Sequence, residues 1–369
     1  MQLKEHILDD IRAGKANDQL PSISVLMKRY SVSLSTINRA LFDLERDGLI
    51  ERRQGKGIFI THPERVVMRE QHNMLSKRIV VVFPDYASYE LEERIRMIEQ
   101  AALLSGYATI HIRYREDTTY ELLAGLIKNE SSIDGILYMP PAMRIPEIYF
   151  PLFNSFKVPF VLLDDQEIAS SHANLFVVSA DYVKTHHDLG CYLIDRGHTE
   201  ITYIGNEPAN LASEKRYAGL RSAFIERGIA VDRLTATDTW IKPWENSLVA
   251  GYTLTARTVT SSRASVFVYD TTSGAFGGLR ALAEAGKKVP EDVSVIGEND
   301  WIYFEYANPP LSVIQHDLRQ WMETALAVVK NPTGFPRVNY ISSKIIERST
   351  VADRREIKTK AAQAVKETV

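Results

Sequence analysis

A single cysteine, Cys191, stands in 369 residues. One thiol cannot close an internal disulfide, which excludes a disulfide-stapled scaffold and fits a reducing compartment. No run of eighteen apolar residues occurs, so no membrane span is expected. The opening MQLKEHILDDIRAG is charged and amphipathic and lacks the apolar stretch of an export signal, so a cytoplasmic location is expected. HExxH, paired CxxC, Walker-loop and nucleophile-elbow patterns are all missing. His186 and His187 are adjacent on a helical stretch and cannot both face one metal, and GAFGG at 274–278 lacks the spacing of a dinucleotide fingerprint. Cys191 lies within a helical pattern and reads as a small core residue. No catalytic residue, metal or cofactor is expected.

A chain this long exceeds one ordinary core and implies two or three domains. The net charge of −3 is unevenly spread. Residues 1–65 hold 11 Lys and Arg against 9 Asp and Glu; the remainder holds 33 against 38. Lys28, Arg29, Arg39, Arg52, Arg53 and Lys56 gather along one short stretch, where positive charge would attract phosphates. A solvated charged face would give the same composition.

That stretch has its own pattern. Leu3, Ile7, Leu8 and Ile11 recur at helical spacing. Ile23, Leu26, Met27 and Tyr30 repeat it after Pro21, with Ser22 placed to cap. Ile37, Ala40, Leu41 and Leu44 form the buried stripe of a third helix, with Ser33 as its cap and Asp47-Gly48 as its stop. This leaves Ser33, Ser35, Thr36, Asn38 and Arg39 on the exposed face of the first turns, the part of a recognition helix that meets bases. Two strands, Leu49–Arg53 and Ile58–Thr61, follow around Gly55 and Gly57, with Arg53, Gln54 and Lys56 at the turn.

Leu20-Pro21-Ser22, Val32-Ser33, Thr36, Ala40-Leu41, Gly48-Leu49-Ile50 and Gly55-Lys56-Gly57-Ile58-Phe59-Ile60 together resemble a GntR-type winged helix-turn-helix. The resemblance covers the head, 1–62, and implies binding to double-stranded operator DNA. Leu34 and Asn38 depart from it, standing where the family often has arginine. A polar connector, 63–77, comes next.

From residue 78 apolar runs of strand length alternate with helical segments. Strands are expected at 78–84, 108–114, 135–139, 160–164, 175–179, 201–205, 265–269 and 293–297. Helices are expected at 89–105, 118–129, 181–196, 213–227, 246–262 and 271–285. Such alternation predicts an α/β fold of parallel sheets covered on both faces, divided into two lobes with a cleft. Gly197-His198, Tyr203-Ile204-Gly205, Arg216, Gly219, Val289–Gly297, Asn308–Ser312 and Ile346–Ser349 then resemble a LacI/GalR-type sensor across roughly 78–350. That resemblance implies two doubly wound, periplasmic-binding-protein-like lobes, three crossover strands and a ligand in the hinge cleft. A head of one type on a sensor of the other is similar to the arrangement of arabinose-type repressors. The effector-binding and dimerisation domain is taken as 78–352, with a charged tail at 353–369.

Ligands of open α/β sheets sit beyond the carboxyl ends of the strands. Asp85, Tyr86 and Tyr89, Tyr138, Asp164, Asp270, and Asn299 with Asp300 occupy such places, and Asp, Asn and aromatic rings suit sugar hydroxyls and ring faces. Trp244 sits in a proline-marked loop, and the resemblance places Arg216 as a ligand contact across the cleft. Tyr269, Glu298 and Asn299 depart from the family pattern. The expected function is a transcriptional repressor controlled by a small carbohydrate effector and acting as a homodimer. A solute-binding protein or a sugar-acting enzyme on the same scaffold is the alternative.

Overall fold

The computed structural model describes residues 3–4, 6–7, 10, 19–46, 50–53, 56–60, 77–86, 88–115, 119–127, 133–140, 145–166, 168, 174–237, 241–242 and 245–356. Gln54, Trp244, all of the expected connector but Lys77, and the tail beyond 356 lie outside them.

In the head, strand β1 (Gln19–Leu20) precedes helices α1 (Ile23–Tyr30) and α2 (Leu34–Arg46), and strands β2 (Ile50–Arg53) and β3 (Gly57–Ile60) close it. The order β1-β3-β2 is antiparallel, with Ile50 opposite Ile60 and Arg53 opposite Gly57. Ser31 ends α1 in the left-handed region (φ 56°) and donates its N–H to the Met27 carbonyl. Gly57 at φ +116° serves the hairpin, where a Cβ would also collide with the Gln19 side chain. The apolar stripes of the helices meet the sheet: Ile7, Leu26, Ile37, Leu41, Leu44, Ile50 and Ile58 are buried together.

The body holds two six-stranded sheets. The first lobe contains β4 (Lys77–Pro84), β5 (Tyr107–Tyr114), β6 (Gly135–Tyr138), β7 (Phe160–Leu162) and β8 (Leu175–Ala180), joined by β14 (Val338–Ile341) in the order β14-β8-β7-β6-β4-β5. Helices α3 (Tyr89–Leu104), α4 (Thr119–Ile127) and α5 (Tyr149–Ser155) connect them. The second lobe orders β9 (Ile201–Ile204), β10 (Leu234–Ala236), β11 (Val266–Tyr269), β12 (Ser294–Glu298), β13 (Ser312–His316) and β15 (Ser343–Ile346) as β10-β9-β11-β12-β13-β15. Its helices are α6 (Tyr182–Asp195), α7 (Leu211–Glu226), α8 (Ser247–Thr258), α9 (Thr272–Glu284) and the short α10 (Ile302–Glu305). Pairing is parallel from β14 through β8, β7 and β6 to β4 and from β10 through β9, β11 and β12 to β13, and antiparallel between β13 and β15. The central strands are buried along their whole length, which is why they read as unbroken apolar runs.

The chain passes between the lobes three times: at Asp181, at Asp317 and at Ser342. Asp181 caps α6 through Lys184 N–H (3.0 Å), and Asp317 caps α11 (Leu318–Lys330) through Gln320 N–H (2.9 Å). Asp317 N–H donates to the Ser342 carbonyl (2.9 Å), and the Ser342 N–H and hydroxyl both donate to Gln320 Oε1 (2.8 and 2.9 Å). Two of the three passages are thus tied side by side.

Candidate DNA-reading face and effector cleft

Ser33 caps α2: its Oγ accepts from Thr36 N–H (3.3 Å) and lies 2.9 Å from Ser35 Oγ and 2.8 Å from Thr36 Oγ1. Leu34, Ser35, Thr36 and Arg39 are at least partly exposed on the first two turns, and Lys56 is exposed at the hairpin. Arg39 has no ion pair among the described residues.

The structure gives three of the expected residues partners within the head. Ser22 does not cap α1; its Oγ shares a hydrogen bond with Ser24 Oγ (3.0 Å). Asn38 is pinned by Arg52, which donates to its backbone carbonyl (3.2 Å) and to Oδ1 (3.4 Å) while also pairing with Glu45 (3.3 Å). Its carbonyl oxygen is therefore committed to the fold. Arg53 forks onto Glu51 (3.2 and 3.0 Å) and lies over the Phe59 ring (4.7 Å), so its charge already has a partner.

Between the two lobes of the body a cavity of about 400 Å³ opens at the carboxyl ends of both sheets. Two depressions of about 670 and 590 Å³ lie elsewhere. The larger borders Glu200 and Ile201, where β9 begins, and so sits at the opposite ends of the strands. The cleft gathers Tyr86, Tyr89, Asp164, Arg216 and Asn299 from the sequence reading. It also brings in Glu90, Arg94, Tyr182, Glu207 and Ser247, which that reading missed. These come from the first two turns of helices and from the loop after β9, rather than from the residues directly following a strand.

Glu90 takes hydrogen bonds from Thr272 Oγ1 (3.3 Å) and Ser273 Oγ (3.5 Å) of the opposite lobe. Its pKa is raised by burial. Tyr89 stacks edgewise on Trp301 and Tyr303 of that lobe, with centroids 5.7 and 4.7 Å away. Glu207 accepts from the Ser247 hydroxyl; burial, with Asp270 and Glu90 nearby, pushes its pKa up to about 8. Arg94 Nε is buried without a hydrogen-bond partner, its guanidinium over the Trp321 ring. Asn299 is 4% exposed and holds φ +72°; its Oδ1 is buried with no partner. A non-glycine residue in that conformation with an unused buried acceptor makes Asn299 a candidate ligand contact.

Arg216 reaches the cleft from α7 but is not an open anion clamp. It donates from Nε and Nη2 to Glu298 Oε2 and Oε1 (2.9 and 2.6 Å) and lies over the Tyr182 ring (4.3 Å). Burial alone would raise the Glu298 pKa, yet Arg216 and His316 beside it (Nε2–Oε1 2.9 Å) hold it well below the usual carboxylate range. His316 in turn meets Ser343 Oγ at 2.7 Å, next to the third crossing. His186 Nε2 lies 3.4 Å from Glu298, and burial drops its pKa to about 3.

Four further cleft assignments are corrected. Asp85 is exposed near Arg113 (3.7 Å), away from the cavity. Tyr138 is buried in the first lobe's core against Tyr114, Phe153 and Phe160. Asp270 is fully buried beneath the cleft, where it accepts from the Tyr203 hydroxyl and from Glu207 N–H (3.4 Å). Asp300 takes both Arg348 Nη atoms (2.9 and 2.7 Å) and faces the other depression. Apolar strand patterns reveal where a strand ends, not whether the next side chain turns inward.

Residues 1–60 match the family model for bacterial regulatory proteins of the gntR family, and residues 191–351 match a periplasmic binding protein-like domain. The HTH-type transcriptional regulator RegA of Clostridium saccharobutylicum is 24% identical over 341 residues, 89% of this chain and 98% of that protein. The arabinose metabolism transcriptional repressor of Geobacillus stearothermophilus is 24% identical over 333 residues, covering 86% of each. The body superposes on a LacI family transcriptional regulator from Enterococcus faecium with bound ribose, with TM-score 0.62 and 24% identity over 75% of this chain and 99% of that one.

Proposed function

We propose that this chain, a GntR-type winged-helix head joined to a LacI-type, periplasmic-binding-protein-like sensor, is a transcriptional repressor whose hold on operator DNA is set by a small molecule in the cleft. The observation that supports the proposal is the joining, in one chain, of a winged-helix head with Ser35, Thr36 and Arg39 exposed on α2 and a body with a cleft between two lobes. No turnover is part of this reading.

The cleft chemistry narrows the effector. Glu90, Asp164, Glu207 and the unpartnered Asn299 Oδ1 line it with acceptors, while Arg216 is neutralised by Glu298. A hydroxyl-rich, uncharged carbohydrate can donate to the Asn299 Oδ1 and accept from Arg94, with Tyr86 and Tyr89 in the same wall. Effector binding shifts the lobes about Asp181, Asp317 and Ser342, and a hundredfold preference for one arrangement supplies about 2.7 kcal/mol of coupling. The working form is a cytoplasmic homodimer, because two-fold operators match two-fold proteins.

The test is a mobility shift on the DNA upstream of the protein's own coding region, across salt and in the presence of neutral sugars. Binding should weaken steeply with salt and change with one sugar. Binding that is absent, or unchanged by salt, ends this reading.

A further inference from the structure

The second lobe carries a side-chain cluster unrelated to the cleft. His186 and His187 point to opposite sides of α6: His186 goes inward to Glu298, whereas His187 faces the groove between α6 and α7. Cys191, one helical turn on, is half-buried beside it rather than in the core. Glu226 closes the group from the end of α7. His187 Nε2 lies 2.7 Å from Glu226 Oε2 and 3.8 Å from Cys191 Sγ, and Cys191 Sγ lies 4.0 Å from Glu226 Oε1.

We infer that His187, Cys191 and Glu226 form a transition-metal site of zinc type. Donors around a tetrahedral zinc stand about 3.3–3.6 Å apart, given bond lengths near 2.0–2.3 Å. The observed spacings of 2.7, 3.8 and 4.0 Å bracket that range. One imidazole, one thiolate and one carboxylate suit zinc better than magnesium or calcium.

A second observation points the same way. The other imidazole nitrogen, Nδ1, is 3.4 Å from Asp188 Oδ1, and Asp188 is itself held by Lys184 Nζ (2.5 Å). A carboxylate on the far nitrogen orients a metal-binding histidine and fixes its tautomer. Zinc entry displaces the proton between His187 Nε2 and Glu226 and the thiol proton of Cys191, both released to solvent. Bound metal would staple α6 to α7.

The experiment uses the full chain stripped with chelator, titrated with Zn(II) against a chromogenic competitor and with Co(II) for spectroscopy. One equivalent should bind, and the cobalt form should show a thiolate-to-metal charge-transfer band. Only Cys191 can produce that band in this chain. C191S should abolish the band and weaken zinc at least tenfold. D188N should keep the band and weaken zinc about 10- to 100-fold. Melting without metal checks that each variant folds, and H187Q provides a second route if C191S does not. A cobalt complex lacking the band, zinc affinity unchanged in C191S or H187Q, or no stoichiometric binding overturns the site.

Discussion

Arg216 and Glu298 face each other as a two-point ion pair, Nε to Oε2 at 2.9 Å and Nη2 to Oε1 at 2.6 Å, with Glu298 only 1% exposed. Removing one member leaves the other charge uncompensated in the interior. Arg216→Leu should therefore cost about 3–5 kcal/mol, and Arg216→Leu with Glu298→Leu should cost less than the single change. Urea denaturation of the four proteins checks this. Additive losses would show that the pair is not coupled.

Glu207 gives a pH signature. Its folded pKa, about 8, lies above the ordinary 4.5, so the folded state holds a proton that the unfolded state has lost. Stability is therefore unpenalised below about pH 4.5, falls as pH rises toward 8, and levels off above it. Glu207→Gln keeps an acceptor for Ser247 and removes the penalty. The variant should gain on the order of 1–3 kcal/mol over wild type at pH 8 and almost nothing at pH 5. Equal gains at both pH values, measured by thermal melts, would refute the assignment.

In the head, two arginines should behave oppositely. Arg39 has no ion pair among the described residues; Arg52 ties Asn38 and Glu45 to β2. Arg39→Ala should reduce DNA affinity about tenfold, and lower the salt slope by about one if it meets a phosphate, without changing melting. Arg52→Ala should lower melting of the head. DNA titrations across salt, run beside calorimetry, distinguish the two, and Arg39→Ala binding DNA like wild type would remove it from the reading face.

The sequence carried the parts of the fold that are periodic. Helical stripes such as Ile37-Leu41-Leu44 and buried runs such as Ile79-Val80-Val81-Val82-Phe83 are visible because burial dictates their spacing. Not every periodic element is legible: α5, β10, β13 and the amphipathic α11 are absent from the expected elements, as are the two strands that cross back. β14 (VNYI) and β15 (SKII) carry Asn339, Ser343 and Lys344, so no apolar run marks them, although they complete the sheets and the hinge. For the cleft, strand ends located Tyr86, Asp164 and Asn299 at the cavity. The same rule also proposed Asp270, which is sealed beneath it, and overlooked Glu90 and Glu207. Whether a polar side chain meets the cavity or a neighbour such as Arg348 depends on partners far away in the chain.

Asn299 can be asked separately about backbone and ligand. Its φ of +72° suits Asn or Gly, whereas its Oδ1 is useful only to a donor in the cleft. Asn299→Gly keeps the conformation and deletes the acceptor, so stability should change by less than about 1 kcal/mol. Effector affinity should fall about tenfold, the worth of one hydrogen bond to a buried acceptor. Asn299→Leu should instead lose stability, because a branched side chain is strained at positive φ. Asn299→Asp preserves shape and adds charge to an acceptor-rich wall, so it should favour an amino sugar over the matching neutral sugar. Calorimetric titration of the three variants separates these effects: a glycine variant that binds effector like wild type would mean that Asn299 serves the backbone alone.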